Sequence, residues 1–208
     1  MLITEAINLL RSDILALGWV ELYGGVSQRV RMMFGETYKS FPISCNASET
    51  DCVKNGRYKE LTPDSSKKSI LYWEVLEGMR DNGEAGQRGR RSMVGRARLV
   101  GWLNTMALGL NECNSAAKAI RSLYPLLYKE FSSAGSLFEN STVKFRFLGE
   151  AVKDASLFPY DYGEKIHGML LNPYDYFALD VEVSVGLAKC SYTLSTAAPL
   201  QCIDNSAL

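Results

Sequence analysis

Apolar residues recur through the first seventeen positions in helical steps. In ITEAINLLRSDILAL, Ile3, Ile7, Leu10, Ile14 and Leu17 are separated by four, three, four and three residues, which predicts one amphipathic helix over 3–17. Gly18 follows as its stop. Three strand-like runs come next, WVELY, QRVRMMF and SFPISC, and Gly24-Gly25 between the first two predicts a hairpin. After a polar, turn-rich segment at 46–55, GRYKELTPDSSKKSILYWEVLEG reads as a strand, a loop at Pro63 to Ser66, and a second strand through Ile70, Tyr72 and Glu74.

NGEAGQRGRRSMVGRARLVGWLN then predicts a long hairpin arm over about 77–100, with a tip at Gly83 to Gly89 and a strand returning through Val94 to Leu103. A second helical pattern covers 114–131, with Ala116, Ile120, Leu123 and Leu127 on one face. Asn114 or Ser115 can cap it, and Pro125 is expected to kink or divide it. Strands return in STVKFRFLGEAV and YDYFALDVEVSVGLA. In the latter, Phe177, Leu179, Val181, Val183 and Val185 alternate with Ala178, Asp180, Glu182 and Ser184, giving one apolar face and one acidic face. Strands mostly follow strands. The expectation is therefore an α+β fold: an antiparallel sheet packed by an N-terminal and a middle helix, with the basic arm protruding. The whole chain, 1–208, reads as one domain with a loose tail from about 195 to 208.

Charge sharpens this picture. The 208 residues carry 23 bases and 23 acids, so a general nucleic-acid binder is not expected. The balance is uneven along the chain. Arg80, Arg88, Arg90, Arg91, Arg96 and Arg98 stand against only Asp81 and Glu84, a local excess of four positive charges that the rest of the chain offsets. A basic arm on an acidic body suits head-to-tail contact between copies.

Candidate chemistry is sparse. His167 is the one histidine and has no serine or cysteine motif beside it. Cys45 and Cys52 are seven apart without the second pair a structural zinc site needs. Asp154, Asp161, Asp175 and Asp180 lack the spacing of a calcium loop, and the glycine-rich tip does not match a phosphate loop. The expectation is no enzyme and no cofactor or metal, with an acidic site around Asp161, Asp175 and Asp180 ranked last. The five cysteines, odd in number, with no secretory signal pattern ahead of them, read as free thiols in a reducing compartment. No uncharged run approaches the roughly 18 residues of a membrane helix.

Three readings of the arm follow. Its arginines pair with carboxylates of another copy, with Asp180 and Glu182 as the acidic partner face. Alternatively they form a solvated loop, or they touch nucleic-acid backbone without reading sequence. Arginine suits the first reading because its planar fork pairs with carboxylates and keeps its charge when partly buried.

The path from helix and hairpin through FPISC, RYKELTPDSSKKSILYWEV, the basic arm and the second helix to NPYDYFALDVEVSV resembles head–tail connector and tail-terminator proteins of tailed bacteriophages, nearest a ring protein of crAss-like phages. The resemblance covers most of the chain and rests on element order. It implies a virion structural protein, made in the bacterial cytoplasm. Six or twelve copies would form a ring between portal and tail, contact other neck, portal or tail proteins, and surround passing DNA. It implies no cofactor, no catalysis and no membrane. Arg80, Arg88, Arg90, Arg91, Arg96 and Arg98 then face a neighbour or the DNA channel.

Overall fold

Leu9 and Leu10 donate their backbone N–H groups to the carbonyls of Ala6 and Ile7, three residues back, at 3.2 and 3.0 Å. This tight turn divides the expected N-terminal helix into α1 (Leu2–Asn8) and α2 (Arg11–Leu15). The apolar stripe survives the break: Ile3, Ile7, Leu10 and Ile14 are all buried. The chain is described by a computed structural model at residues 2–34, 36–45, 52–54, 57–84, 91–110, 115–132, 141–151, 157, 170–171 and 173–186. Arg88 and Arg90 of the expected arm, His167, Asp154, Asp161, Cys113, Cys190, Cys202 and the tail from 195 lie outside the described residues.

The fold is α+β, dominated by one seven-stranded sheet in the order β2-β1-β5-β6-β9-β8-β7. The strands are β1 (Leu22–Phe34), β2 (Thr37–Ser44), β5 (Ser69–Glu84), β6 (Arg91–Asn104), β7 (Glu130–Ser132), β8 (Thr142–Glu150) and β9 (Tyr174–Gly186). A separate two-stranded piece joins β3 (Val53–Lys54) to β4 (Arg57–Tyr58). All neighbours in the main sheet are antiparallel except β1 and β5, which run parallel through Leu22↔Ile70, Tyr23↔Leu71 and Val26↔Trp73. The expectation of a purely antiparallel sheet is corrected at that one pair.

Gly24-Gly25 is a bulge and not a hairpin turn. β1 runs through it, using three steps from Tyr23 to Val26 where β5 uses two. Gly25 takes φ 64°, and a Cβ on Gly24 would collide with Leu61. The hairpin that does form lies further on, where β1 and β2 pair from Ser27↔Ser44 to Phe34↔Thr37.

The second helix, α3, spans Ser115–Leu127 with Pro125 inside its last turn. There the proline forfeits one backbone bond, the one that would reach Arg121, and the helix ends two residues later. Glu130 and Phe131, expected to be helical, instead belong to β7.

One face of the sheet carries the larger core. Phe177, Leu179, Val181, Val183 and Val185 of β9 join Leu71, Trp73, Ala97, Leu99, Val143 and Phe145 beneath Ile3, Ile7, Leu10, Ile120 and Leu123 of the helices. The alternation in β9 thus points the way the sequence implies. On the opposite face a smaller core forms from Ile70, Tyr72, Val100, Trp102, Tyr176 and Ala178, covered by Leu61 and Leu157.

Leu61 reaches that cover because segment 59–61 runs back along β2. Ser44 donates to the Lys59 carbonyl at 2.8 Å, Leu61 donates to the Pro42 carbonyl at 2.9 Å, and Ile43 bridges to Glu60. The turn-back also brings Cys45 and Cys52 together as a disulfide. The expectation of free thiols is corrected for these two.

Candidate subunit-contact surface

The polar half of the second face is built by cross-strand register. Three strands bring Glu74, Arg98 and Asp180 into one row. Four bring Glu77, Arg96, Glu182 and Arg146 into the next. Charge alternates along both rows, the arrangement that favours opposite-charge neighbours on a sheet face.

The bonds follow the register. Arg98 grips Asp180 with both arms of its fork, Nε to Oδ1 at 2.7 Å and a terminal nitrogen to Oδ2 at 3.1 Å. Both side chains are more than two-thirds buried, at 23% and 30% exposure. The hydrogen bond to Asp180 raises the guanidinium's pKa against the opposing effect of burial, so Arg98 stays charged. Arg146 donates to Glu182 at 2.9 and 3.0 Å, and this bond raises its pKa too. Glu77 lies 3.6 Å from Arg96 and 3.7 Å from Arg80, both as looser ion pairs.

Asp180 and Glu182, the expected acidic partner face, therefore hold arginines of their own sheet. Arg98 comes from the same expected arm, whereas Arg146 on β8 was not anticipated as a site residue. Its spacing in KFRFLGE, a base between two apolar residues, marks a strand with a charged outer face and is the signal that points to it. Asp175, assigned by the sequence to a possible acidic site, instead accepts the Ala116 N–H at 3.0 Å and so caps α3. Among the described residues no group of three metal-ligating side chains comes together.

The arm differs in form from the expectation. Residues 92–103 lie between β5 and β9, the pairing with β9 running from Ser92↔Gly186 to Asn104↔Tyr174. This stretch is an interior strand because Ala97, Leu99 and Leu103 belong to the main core. Only the end of the β5–β6 hairpin runs past β9. Among the described residues only the Glu84↔Arg91 pair lies beyond it; Arg80, 67% exposed, sits opposite Val94, which still pairs with Ser184 of β9.

β5 carries three register shifts against β6, between Val75 and Glu77, Glu77 and Arg80, and Asp81 and Glu84, each adding one residue to β5. Such bulges twist an edge and interrupt its regular ladder.

A second projection was not anticipated. β1 parts from β5 after Val26, and Ser27 Oγ donates to the Trp73 carbonyl at 2.9 Å where the backbone ladder stops. Beyond that point, among the described residues, β1 pairs only with β2, and past the stretch of β2 flanked by segment 59–61 the two strands continue as a two-stranded ribbon. Its far end exposes Met33 (64%) and Tyr38 (57%), with the Arg31 guanidinium 5.0 Å above the Tyr38 ring.

No helix among the described residues is long and apolar enough to cross a membrane. Comparison with family models, curated proteins and solved structures finds no match.

Proposed function

We propose that the protein is a ring subunit of a tailed-phage virion, placed at the head–tail junction as a connector or tail terminator. It acts by assembly with copies of itself and with neighbouring neck, portal or tail proteins, and not by catalysis. The observation that carries the assembly reading is the divergence of β1 from β5 after Val26, which sends out a ribbon with Met33 and Tyr38 exposed at its end. Large apolar side chains on a projecting element are what a partner covers on binding. The resemblance in element order supports the location in a virion. The neutral total with locally opposed charges suits contacts between identical subunits.

A nucleic-acid role for the arginines draws on fewer of them than their number implies. Arg98 is held by Asp180, and Arg80 and Arg96 lie beside Glu77, so at these three arginines a phosphate has to compete with a carboxylate. Native mass spectrometry with and without duplex DNA, at two salt concentrations, tests both ideas. The ring reading expects a closed oligomer indifferent to DNA. A monomer that binds DNA only at low salt would replace it with the accessory DNA-binding reading.

A further inference from the structure

We infer that the Cys45–Cys52 disulfide is a redox latch. Oxidised, it holds segment 52–61 against β2 and over the smaller core; reduced by a dithiol, it lets that segment lift away.

Among the described residues, the backbone of segment 52–61 meets β2 through two hydrogen bonds, Ser44 to Lys59 and Leu61 to Pro42, and through the Ile43–Glu60 bridge. The Lys59 bond to the Cys52 carbonyl lies within the segment itself. β3 and β4, two residues each, pair with one another and not with the main sheet. So short a ladder is marginal by itself. The apolar anchor is Leu61, 1% exposed. A segment attached at these points opens locally before the sheet does.

The bridge opposes that opening. It ties Cys52 to Cys45, the residue next to Ser44 at the end of β2, and so shortens the free chain between β2 and Leu61. With the bridge closed, a lifted segment stays beside the strand it left and re-docks readily. With the bridge open, the chain from Cys45 to Leu61 is free to spread, and the lifted state gains entropy.

The latch sits at the root of the β1–β2 ribbon. Ser44 pairs with Ser27, and its hydroxyl donates to the Gly24 carbonyl at 2.9 Å. Leu61 packs so closely on Gly24 that no Cβ would fit between them. Lifting segment 59–61 takes Leu61 off Gly24 and off the core of Ile70, Tyr72 and Trp102, and strips Pro42 to Ser44 of their partner on that side. One covalent bond thus sets how firmly the ribbon is held at its base, in a monomer as in a ring.

The chemistry is thiol–disulfide exchange. A thiolate of the dithiol attacks the sulfur of Cys45, the less buried of the two cysteines, and Cys52 leaves as a thiolate that takes up a proton. The second thiol then resolves the mixed disulfide and releases Cys45 as a thiol. Two electrons pass to the protein, and the dithiol departs as its own disulfide. Glutathione disulfide reverses the exchange, leaving as two molecules of glutathione.

Brief trypsin digestion of the folded protein, read by mass spectrometry, tests the latch. Wild-type protein is taken oxidised, reduced with dithiothreitol, or reduced and then reoxidised with glutathione disulfide, and each sample is capped with iodoacetamide before digestion. The double variant C45S with C52S is digested alongside, replaced by C45A with C52A if circular dichroism shows it unfolded. Cleavage after Lys54, Arg57 and Lys59 is expected to be about tenfold faster or more in the reduced protein and slow again after reoxidation. The variant is expected to match the reduced protein with or without dithiothreitol. These cuts are expected before any after Arg96, Arg98 or Arg146, which lie within the sheet.

Equal rates in the oxidised and reduced protein overturn the latch. So does a reduced protein cut first within the sheet, because the whole fold and not one segment would then have opened. Fast cleavage of the capped, reduced wild type but not of the variant assigns the effect to the bulk of the cap and overturns it as well.

Discussion

Replacing Cys45 and Cys52 together with serine is expected to lower stability by about 2.5 kcal/mol. The two cysteines are seven apart. In the chain-entropy description, opening so short a loop returns roughly 8 cal/mol/K to the unfolded chain, which is about 2.5 kcal/mol at 25 °C. For a chain of 208 residues that corresponds to a fall of roughly 5–10 °C in melting temperature. The loss is not confined to the loop. The bridge holds Cys52, whose carbonyl accepts the Lys59 N–H at 2.9 Å, and Lys59 begins the segment that delivers Leu61 to the second core. Circular dichroism melts of the wild type and the double serine variant, each with and without a phosphine reductant, measure the effect. The wild type should fall to the variant's temperature when reduced, and the variant should ignore the reductant. Equal melting temperatures for wild type and variant, or five reactive thiols in the unfolded, unreduced protein, would refute the reasoning.

Four other outcomes are expected. Val181→Asp places an unpaired charge where the side chain is fully buried, and should cost at least 3 kcal/mol and abolish the cooperative melt; wild-type stability would mean the two faces of β9 are reversed. A methyl group at Gly101 would overlap the ring of Phe177, its cross-strand neighbour, so Gly101→Ala should cost about 1–3 kcal/mol, and adding Phe177→Leu should recover part of it. Asp180→Ala strips Arg98 of both its bonds and should cost about 1–3 kcal/mol by urea denaturation, while a loss within error would show that water replaces the carboxylate freely. The Lys68 N–H, and then Lys67, hold the Glu21 carboxyl below its ordinary pKa of 4.5, so its stabilising contribution is present above that pH and lost as pH falls through the folded value; Glu21→Gln should flatten the acid limb of a stability–pH curve, and an unchanged limb would discount the pair.

Periodicity made some of this architecture legible and long-range pairing concealed the rest. The valines of β9 announced their face because a half-buried strand in this sheet must alternate. Ile3, Ile7, Leu10 and Ile14 announced theirs, although the tight turn at Leu9 and Leu10 did not. Gly24-Gly25 misled because the same backbone freedom serves a turn and a bulge, and only the presence of β5 alongside decides between them. The arginines of 80–98 were visible as a group. Their division between an interior strand and an exposed end was not, since it depends on β9, some 80 residues away, pairing with β6. The disulfide was hidden for the same reason: a spacing of seven says nothing until segment 59–61 turns back along β2. In the candidate surface, the alternation of β9 puts Asp180 and Glu182 on the face opposite its valines, but register alone sets which arginines they meet.

The parting of β1 from β5 also has a mechanical consequence. A pull on the far end of the ribbon acts along β1, and so loads the parallel bonds of Leu22–Val26 with Ile70–Trp73 sideways and together, rather than peeling them one at a time. Beyond those bonds the load passes to Trp73, locked in the main core with its indole N–H 3.1 Å from the Tyr23 hydroxyl. The ribbon is thus anchored at its root in the main core and resists extraction along its length.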